Sequence, residues 1–160
     1  MKQQQFTGPE KPEGERVRKN TSSESNSKID DQLLNHVRSY SNGTPEEISD
    51  RIKQLDQEWD IERTLETNMS LIALTGLALG VFINLYWLIL PAIVLLFFLQ
   101  HALQGWCPPI PLFRMLKVRT RPEIDREKYA LKALRGDFDN LSYIDEQTKA
   151  RSAFEATKKI

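Results

Sequence analysis

The sequence predicts an all-α membrane protein: two short transmembrane helices forming a hairpin, flanked by amphipathic cytosolic helices and preceded by a disordered N-terminus. Three observations carry this reading. Charged residues make up 28% of the 160-residue chain, yet not one Asp, Glu, Lys or Arg falls between Asn68 and Leu112, a run that also holds His101 and Cys107. Within it the apolar block Leu71 to Leu99 would rise about 43 Å as one helix, against a hydrocarbon layer of about 30 Å, so one straight span fits poorly. Asn84, the strongly polar residue inside the block, lies at the centre of Phe82-Ile83-Asn84-Leu85-Tyr86-Trp87. Its tyrosine and tryptophan neighbours favour the membrane interface, which suits a turn.

Residues 1–28 are rich in Gln, Glu, Lys, Ser, Asn and Pro, with Phe6 and Val17 as the sizeable apolar groups. So little apolar surface cannot offset chain entropy, and the segment is expected to be a disordered tail. Residues 29–65 read as a short helix followed by an amphipathic one. Leu33, Leu34 and Val37 share a short helical face that Asn42-Gly43 closes, since glycine readily takes the left-handed conformation that ends a helix. Thr44-Pro45-Glu46-Glu47 has the form of a capping box with proline in the first turn, and a helix should start there. Ile48, Ile52, Leu55 and Trp59 then give a narrow apolar stripe on a polar helix, which needs a partner.

The hairpin occupies residues 66–104, with a first helix from about Glu66 to Ile83 and a second from about Tyr86 to Gln104. Pro91 falls near the first turn of the second helix, where its missing N–H matters least. Residues 105–121 form a Trp-Cys-Pro-Pro and basic juxtamembrane segment. Pro108, Pro109 and Pro111 stop the helix, and Arg114, Lys117, Arg119 and Arg121 are placed to meet anionic lipid head groups. Residues 122–138 read as an amphipathic surface helix that begins at Thr120-Arg121-Pro122-Glu123, carries Ile124, Leu131, Leu134 and Phe138, and ends near Gly136. Residues 139–160 show weak helical patterning around Tyr143, Ile144 and Phe154.

Topology has two readings. Residues 45–66 contain eight acids and three bases, and residues 114–135 contain eight bases and three acids. The positive-inside rule puts the second flank in the cytoplasm. A single tilted span would then put the N-terminus outside, whereas a hairpin keeps both termini in the cytosol. Acidic residues contribute little to that rule, so the first flank is compatible with the hairpin.

Composition narrows the functional classes. The 22 basic and 22 acidic residues balance to zero net charge, which argues against a nucleic-acid partner. One cysteine excludes an intrachain disulfide and fits a reducing compartment. The chain opens without an early apolar stretch, so the internal block is expected to direct insertion itself.

Cys107 stands in Gly105-Trp106-Cys107-Pro108-Pro109, where the second helix leaves the bilayer. It is the candidate thiol site: a thiolate or persulfide whose pKa nearby cations lower, with His101 as proton partner. The alternative is a small side chain packed at a proline-terminated helix end. The six-residue spacing favours packing, because His101 and Cys107 do not share a helical face. Gln100, His101 and Gln104 form one polar edge, suited to lining a path for small anions or sulfur species, or to hydrogen bonds that lock the hairpin or an oligomer. Ala73, Gly76 and Gly80 form a small-residue packing face containing G-x-x-x-G, usable in the hairpin or in a dimer. One cysteine and one nearby histidine cannot fill a tetrahedral metal shell, no cofactor is implied, and no P-loop, G-x-S-x-G, H-E-x-x-H or dinucleotide fingerprint occurs.

Taken together, Trp59-Asp60-Ile61-Glu62-Arg63-Thr64-Leu65-Glu66-Thr67-Asn68, the double apolar block, and Gly105-Trp106-Cys107-Pro108 through Thr120 resemble the YgaP-like inner-membrane transmembrane domain, a family of unknown function. Cys107 and Pro108 match the family's Cys-Pro; Glu62-Arg63 approximates its acidic-basic lead-in, and Glu66 stands where a basic residue is common. Glu123 to Phe138 resembles a longer bacterial subgroup. The resemblance implies two membrane helices, a bacterial inner (cytoplasmic) membrane location and a link to sulfur metabolism, because some relatives carry a rhodanese domain that is absent here. Two functional expectations follow. The leading one is a non-enzymatic membrane protein whose hairpin anchors cytosolic helices that bind the lipid bilayer, a partner or copies of itself in a homo-oligomer. The other is a sulfur-handling or thiol-sensing protein that uses Cys107 and works with a sulfurtransferase.

Overall fold

Four helix starts in this chain are set by short capping sequences, and the computed structural model, which describes residues 15–139 and 146–158, shows them in place. Its described residues form α1 (Arg16–Lys19), α2 (Ser23–Ser39), α3 (Pro45–Gln57), α4 (Ile61–Phe82), a 3₁₀ turn (Leu85–Leu88), α5 (Ile89–Gln104), α6 (Ile110–Met115), α7 (Arg121–Leu134) and α8 (Glu146–Lys158), with no strand among them. At α3 the Thr44 hydroxyl accepts from the Glu47 N–H at 3.3 Å and the Glu47 carboxylate accepts from the Thr44 N–H at 2.8 Å. Thr120 and Glu123 build the same reciprocal box at α7. Both boxes match the sequence signature, with proline in each first turn.

α4 and α5 fold back on one another. Asn84 makes the turn, its side-chain oxygen accepting from the Tyr86 N–H at 3.0 Å. Gly76 faces Leu90 and Pro91, and Gly80 faces Leu88. A Cβ on Gly76 would stand 2.6 Å from Pro91 Cδ, so the two backbones approach as closely as small residues permit. The G-x-x-x-G face is therefore consumed inside the hairpin, with Ala73 half-buried beside it. Two helical stretches, one ending at Phe82 and the other spanning Leu85–Gln104, are long and apolar enough to cross a membrane. α4 begins at Ile61, earlier than Glu66, because Asp60 caps it by accepting from the Arg63 N–H at 2.7 Å.

Below the hairpin the amphipathic stripes pair. Ile48, Ile52 and Leu55 of α3 meet Ile124 and Leu131 of α7 in one buried cluster, against which Tyr40 packs. The stripe on α3 thus has its partner, while Trp59 stays 47% exposed and Arg63 lies over its ring at 4.3 Å. A second cluster joins Val17, Ile61, Leu65, Cys107 and Ile110, with Met69, Phe97, Phe113 and Val118 against it. The chain enters and leaves the hairpin side by side, since the Ile61 N–H donates to the Arg119 carbonyl at 2.8 Å.

Three expectations need correction. The disordered tail does not extend to residue 28. α1 and α2 are helical, Val17 and Ile29 are buried, and Ser22 caps α2 by accepting from the Ser25 N–H. What orders this polar stretch is distant chain: Arg16 donates to the Ala102 carbonyl and Asn20 to the Gln104 carbonyl at 3.0 Å. These contacts satisfy orphan carbonyls at the C-terminus of α5 and set a cation against its dipole. Phe6 lies outside the described residues. Second, the proline-rich exit does not merely stop a helix, because Pro111 sits in the first turn of α6. Third, α7 is no isolated surface helix but packs on α2 and α3. Tyr143 and Ile144 lie outside the described residues; Phe154, on α8, is 60% exposed.

Candidate functional site

The chemistry of the chain gathers at the foot of the hairpin, where its two ends meet the helical layer beneath. Glu123 and Glu127 are one turn apart on α7, and both are fully buried. Glu123 receives a bidentate pair from Arg114, both contacts 2.7 Å, together with Arg18 at 2.5 Å and the Thr120 N–H at 2.8 Å. Arg114 also donates to Asn26 at 2.8 Å, and Arg18 to Asp30 at 2.7 Å. Glu127 is held by Arg119 and by Arg51 at 2.8 Å, with His36 Nδ1 at 3.5 Å. Arg119 in turn forks onto Glu58 at 2.8 and 2.5 Å. The cluster thus ties α1, α2, α3, α6 and α7 into one layer.

Burial by itself would push the Glu123 and Glu127 carboxyls up. The hydrogen bonds and charges of Arg114 and Arg18 on the first, and of Arg119 and Arg51 on the second, outweigh it and hold both below the ordinary glutamate range. Burial would likewise lower Arg18 and Arg119, but their carboxylate partners raise them. The Glu123 and Glu127 carboxylates are thereby held charged at neutral pH, which leaves neither as a proton donor there. Its role is geometric: buried pairs of this kind add little net stability over an apolar core, yet they fix which surfaces meet.

Two of the expected head-group bases are therefore turned inward. Arg114 is 2% exposed and Arg119 7%, because bidentate carboxylates offer a guanidinium fixed, desolvated partners. Arg121 pairs with Asp125 at 3.1 Å and with Asp56 at 3.7 Å. Lys117 is exposed, with a left-handed backbone (φ 61°).

Cys107 is fully buried, and burial raises its thiol pKa, opposite to the lowering expected from nearby cations. Of those cations, Arg114 and Arg119 are bound to Glu123 and Glu127. Cys107 belongs to the cluster with Val17, Ile61, Leu65 and Ile110, the packing alternative read from the sequence. The Gln100, His101 and Gln104 edge separates: His101 is buried, Gln100 half-buried and Gln104 exposed. His101 borders a cavity of about 190 Å³ with Glu15, Arg16, Glu62, Gly105 and Thr120, and its buried Nδ1 has no hydrogen-bond partner among the described residues. Gly105 takes φ +71°, and any side chain there would strike Arg16, so glycine is required where α1 crosses the end of α5.

No group of three or more His, Cys, Asp or Glu side chains that could hold a metal ion is present among the described residues. Sequence reasoning missed Arg18, Asn26, Arg51, Glu58, Glu123 and Glu127 as members of one site. Their partners are as far as 105 residues apart in the chain, and the one local signal, Glu123 in a capping box, concerns the helix start alone. No family model matches the chain, and neither a curated protein nor a solved structure matches it.

Proposed function

We propose that the protein is a non-enzymatic inner-membrane anchor whose hairpin crosses the bilayer and holds a cytosolic helical layer for interaction with a partner or with copies of itself. One observation carries this reading. The hairpin bears an apolar surface that no described residue covers, including Leu71 at 66%, Leu74 at 63%, Val81 at 69% and Leu103 at 70% exposed, whereas the layer beneath buries Glu123, Glu127, Arg114 and Arg119 in ion pairs. Apolar surface on this scale belongs against lipid or protein.

The dimensions agree. Residues 67 to 82 of α4 rise about 24 Å as a helix, near the lower limit for a hydrocarbon thickness of about 30 Å. Asn84 and Tyr86 would then reach the far interface. Packing of α3 on α7 supports a single side for the two flanks, and the basic excess over residues 114–135 favours the cytosol as that side. The resemblance to the YgaP-like domain supports a bacterial inner membrane.

Reporter fusions at each terminus, paired with labelling of Asn84→Cys by a membrane-impermeant maleimide in intact cells, test the reading. Both termini cytosolic with residue 84 labelled from outside is the expected outcome. A periplasmic N-terminus would exclude the hairpin, and recovery of the chain in the soluble fraction would exclude the anchor.

A further inference from the structure

α6 divides its residues between two opposite faces. Ile110 and Arg114 are one turn apart and buried at 0% and 2%, while Leu112, Met115 and Leu116 follow the i, i+3, i+4 pattern on the other side at 56%, 75% and 66% exposed. The short helix also sits at a definite height. Its Ile110 and Phe113 pack in the cluster that contains Met69 and Phe97 of the hairpin, so α6 lies beside the hairpin foot rather than out in the helical layer. Leu103, on the last turn of α5, is 70% exposed as well.

We propose that α6 lies in the head-group region of the cytosolic leaflet, with Leu112, Met115 and Leu116 in the acyl chains and Lys117 at the lipid phosphates. The inference rests on the reading that the hairpin is in the bilayer, and it moves the lipid contact from the arginine run to an apolar face. The occupant is an anionic lipid monolayer. The position of α6 against Met69 and Phe97 at the hairpin foot sets its exposed Leu112, Met115 and Leu116 at that level, and Lys117, exposed just past the helix end, supplies the charge that anionic lipid attracts. A left-handed Lys117 ends the helix there and brings Val118 back: the Val118 N–H donates to the Phe113 carbonyl at 2.9 Å and the Lys117 N–H to Arg114 at 3.0 Å. Because Arg114 on the inner face binds Glu123 and Asn26, the element that would read the lipid surface also anchors the ion cluster. Hairpin depth and the height of the helical layer are thereby fixed by one helix.

Nitroxide labels at Met115→Cys, Leu96→Cys and Ala133→Cys in a Cys107→Ala background, each in the full chain reconstituted into mixed phosphatidylcholine and phosphatidylglycerol vesicles, report depth by collision with oxygen and with a nickel chelate. The label at 115 should lie about 5–10 Å below the phosphates, with an oxygen-to-nickel ratio several-fold above that at 133 and below that at 96. A label at 115 as nickel-accessible as that at 133, while 96 remains in lipid, overturns the α6 proposal and leaves the anchor standing. Labels at 96 and 115 both in water would overturn both. Protection at 115 from both reagents, with a short dipolar distance between copies, would assign the face to a second chain and also overturn the proposal. Should Cys107→Ala misfold, the buried native Cys107 is kept and the same labels are read.

Discussion

Glu123→Gln isolates the charge of the cluster without changing its shape. With its amide oxygen kept toward the Thr120 N–H, glutamine still serves the third position of a capping box. In the native site Oε1 accepts from Arg114 Nη2 and Arg18 Nη1, and Oε2 accepts from Arg114 Nη1 and the Thr120 N–H. Whichever way the amide is placed, its NH₂ faces two donors, so two of the four bonds are lost and Arg114 stays buried at 2% without its anion. Bonds to charged groups contribute about 1.5–3 kcal/mol each, which gives about 3–6 kcal/mol, in line with the roughly 3–5 kcal/mol for removing one partner of a buried pair. At about 1.4 kcal/mol per decade, amide hydrogen exchange across α6 and α7 should accelerate by about two to four orders of magnitude, while the hairpin amides of α4 and α5 change little. Exchange measured by mass spectrometry on the reconstituted chain reads both regions at once. Glu123→Gln paired with Arg114→Met should recover part of the loss, since no unpaired cation remains. Acceleration below tenfold in α7 would refute the argument that the cluster holds the layer to the hairpin.

Three further outcomes follow from the same geometry. Gly76→Leu should lower the thermal midpoint by an amount equivalent to about 1–3 kcal/mol of overpacking against Leu90 and Pro91, read by near-ultraviolet circular dichroism, whereas Ala78→Leu on the exposed face should leave it unchanged. Lys117→Gly should raise stability by about 0.5–1 kcal/mol, the left-handed penalty less the added freedom of the unfolded chain, while Lys117→Ala should give no gain; equal midpoints for all three would contradict the αL assignment. Folded-state pKa values of Glu123 and Glu127 lie below their ordinary value, so their contribution is present above about pH 4.3 and is lost as the pH falls through the lower folded values. Protection of α7 should therefore be flat from neutral pH to about 5 and fall on further acidification; loss already at pH 6 would point to a different titrating group.

The elements that could be read from sequence are those whose causes are local. A capping box is complete within four residues, so Thr44-Glu47 and Thr120-Glu123 mark the starts of α3 and α7 directly. The hairpin turn is similarly short-range, because Asn84 caps the chain two residues on. α1 and the start of α2 were not legible for the complementary reason. Nothing within residues 15–28 supplies enough apolar contact, and their order comes from the end of α5, from Ile61 and Leu65, and from Glu123. α6 was hidden by its prolines, since Pro111 reads equally as the stop of one helix and the first turn of the next.

The basic run from Arg114 to Arg121 shows why charge beside an apolar hairpin is ambiguous in sequence. A cation there has two competing partners, lipid phosphates outside the protein and carboxylates within it. Number and sign of charges do not choose between them, but side-chain geometry does. A guanidinium presents a planar fork that fits a carboxylate with two parallel bonds, and it is weakly hydrated, so burial costs it less than it costs an ammonium. Arg114 on Glu123 and Arg119 on Glu58 both use that fork. Lys117, the compact and strongly hydrated cation of the run, is the member left exposed, with no carboxylate to hold it among the described residues. The two acceptor glutamates fall four residues apart on a helix whose start is fixed by its own capping box, which places both carboxylates on one face before any arginine arrives. That prearranged pair, rather than the count of bases in the run, decides which cations stay on the surface.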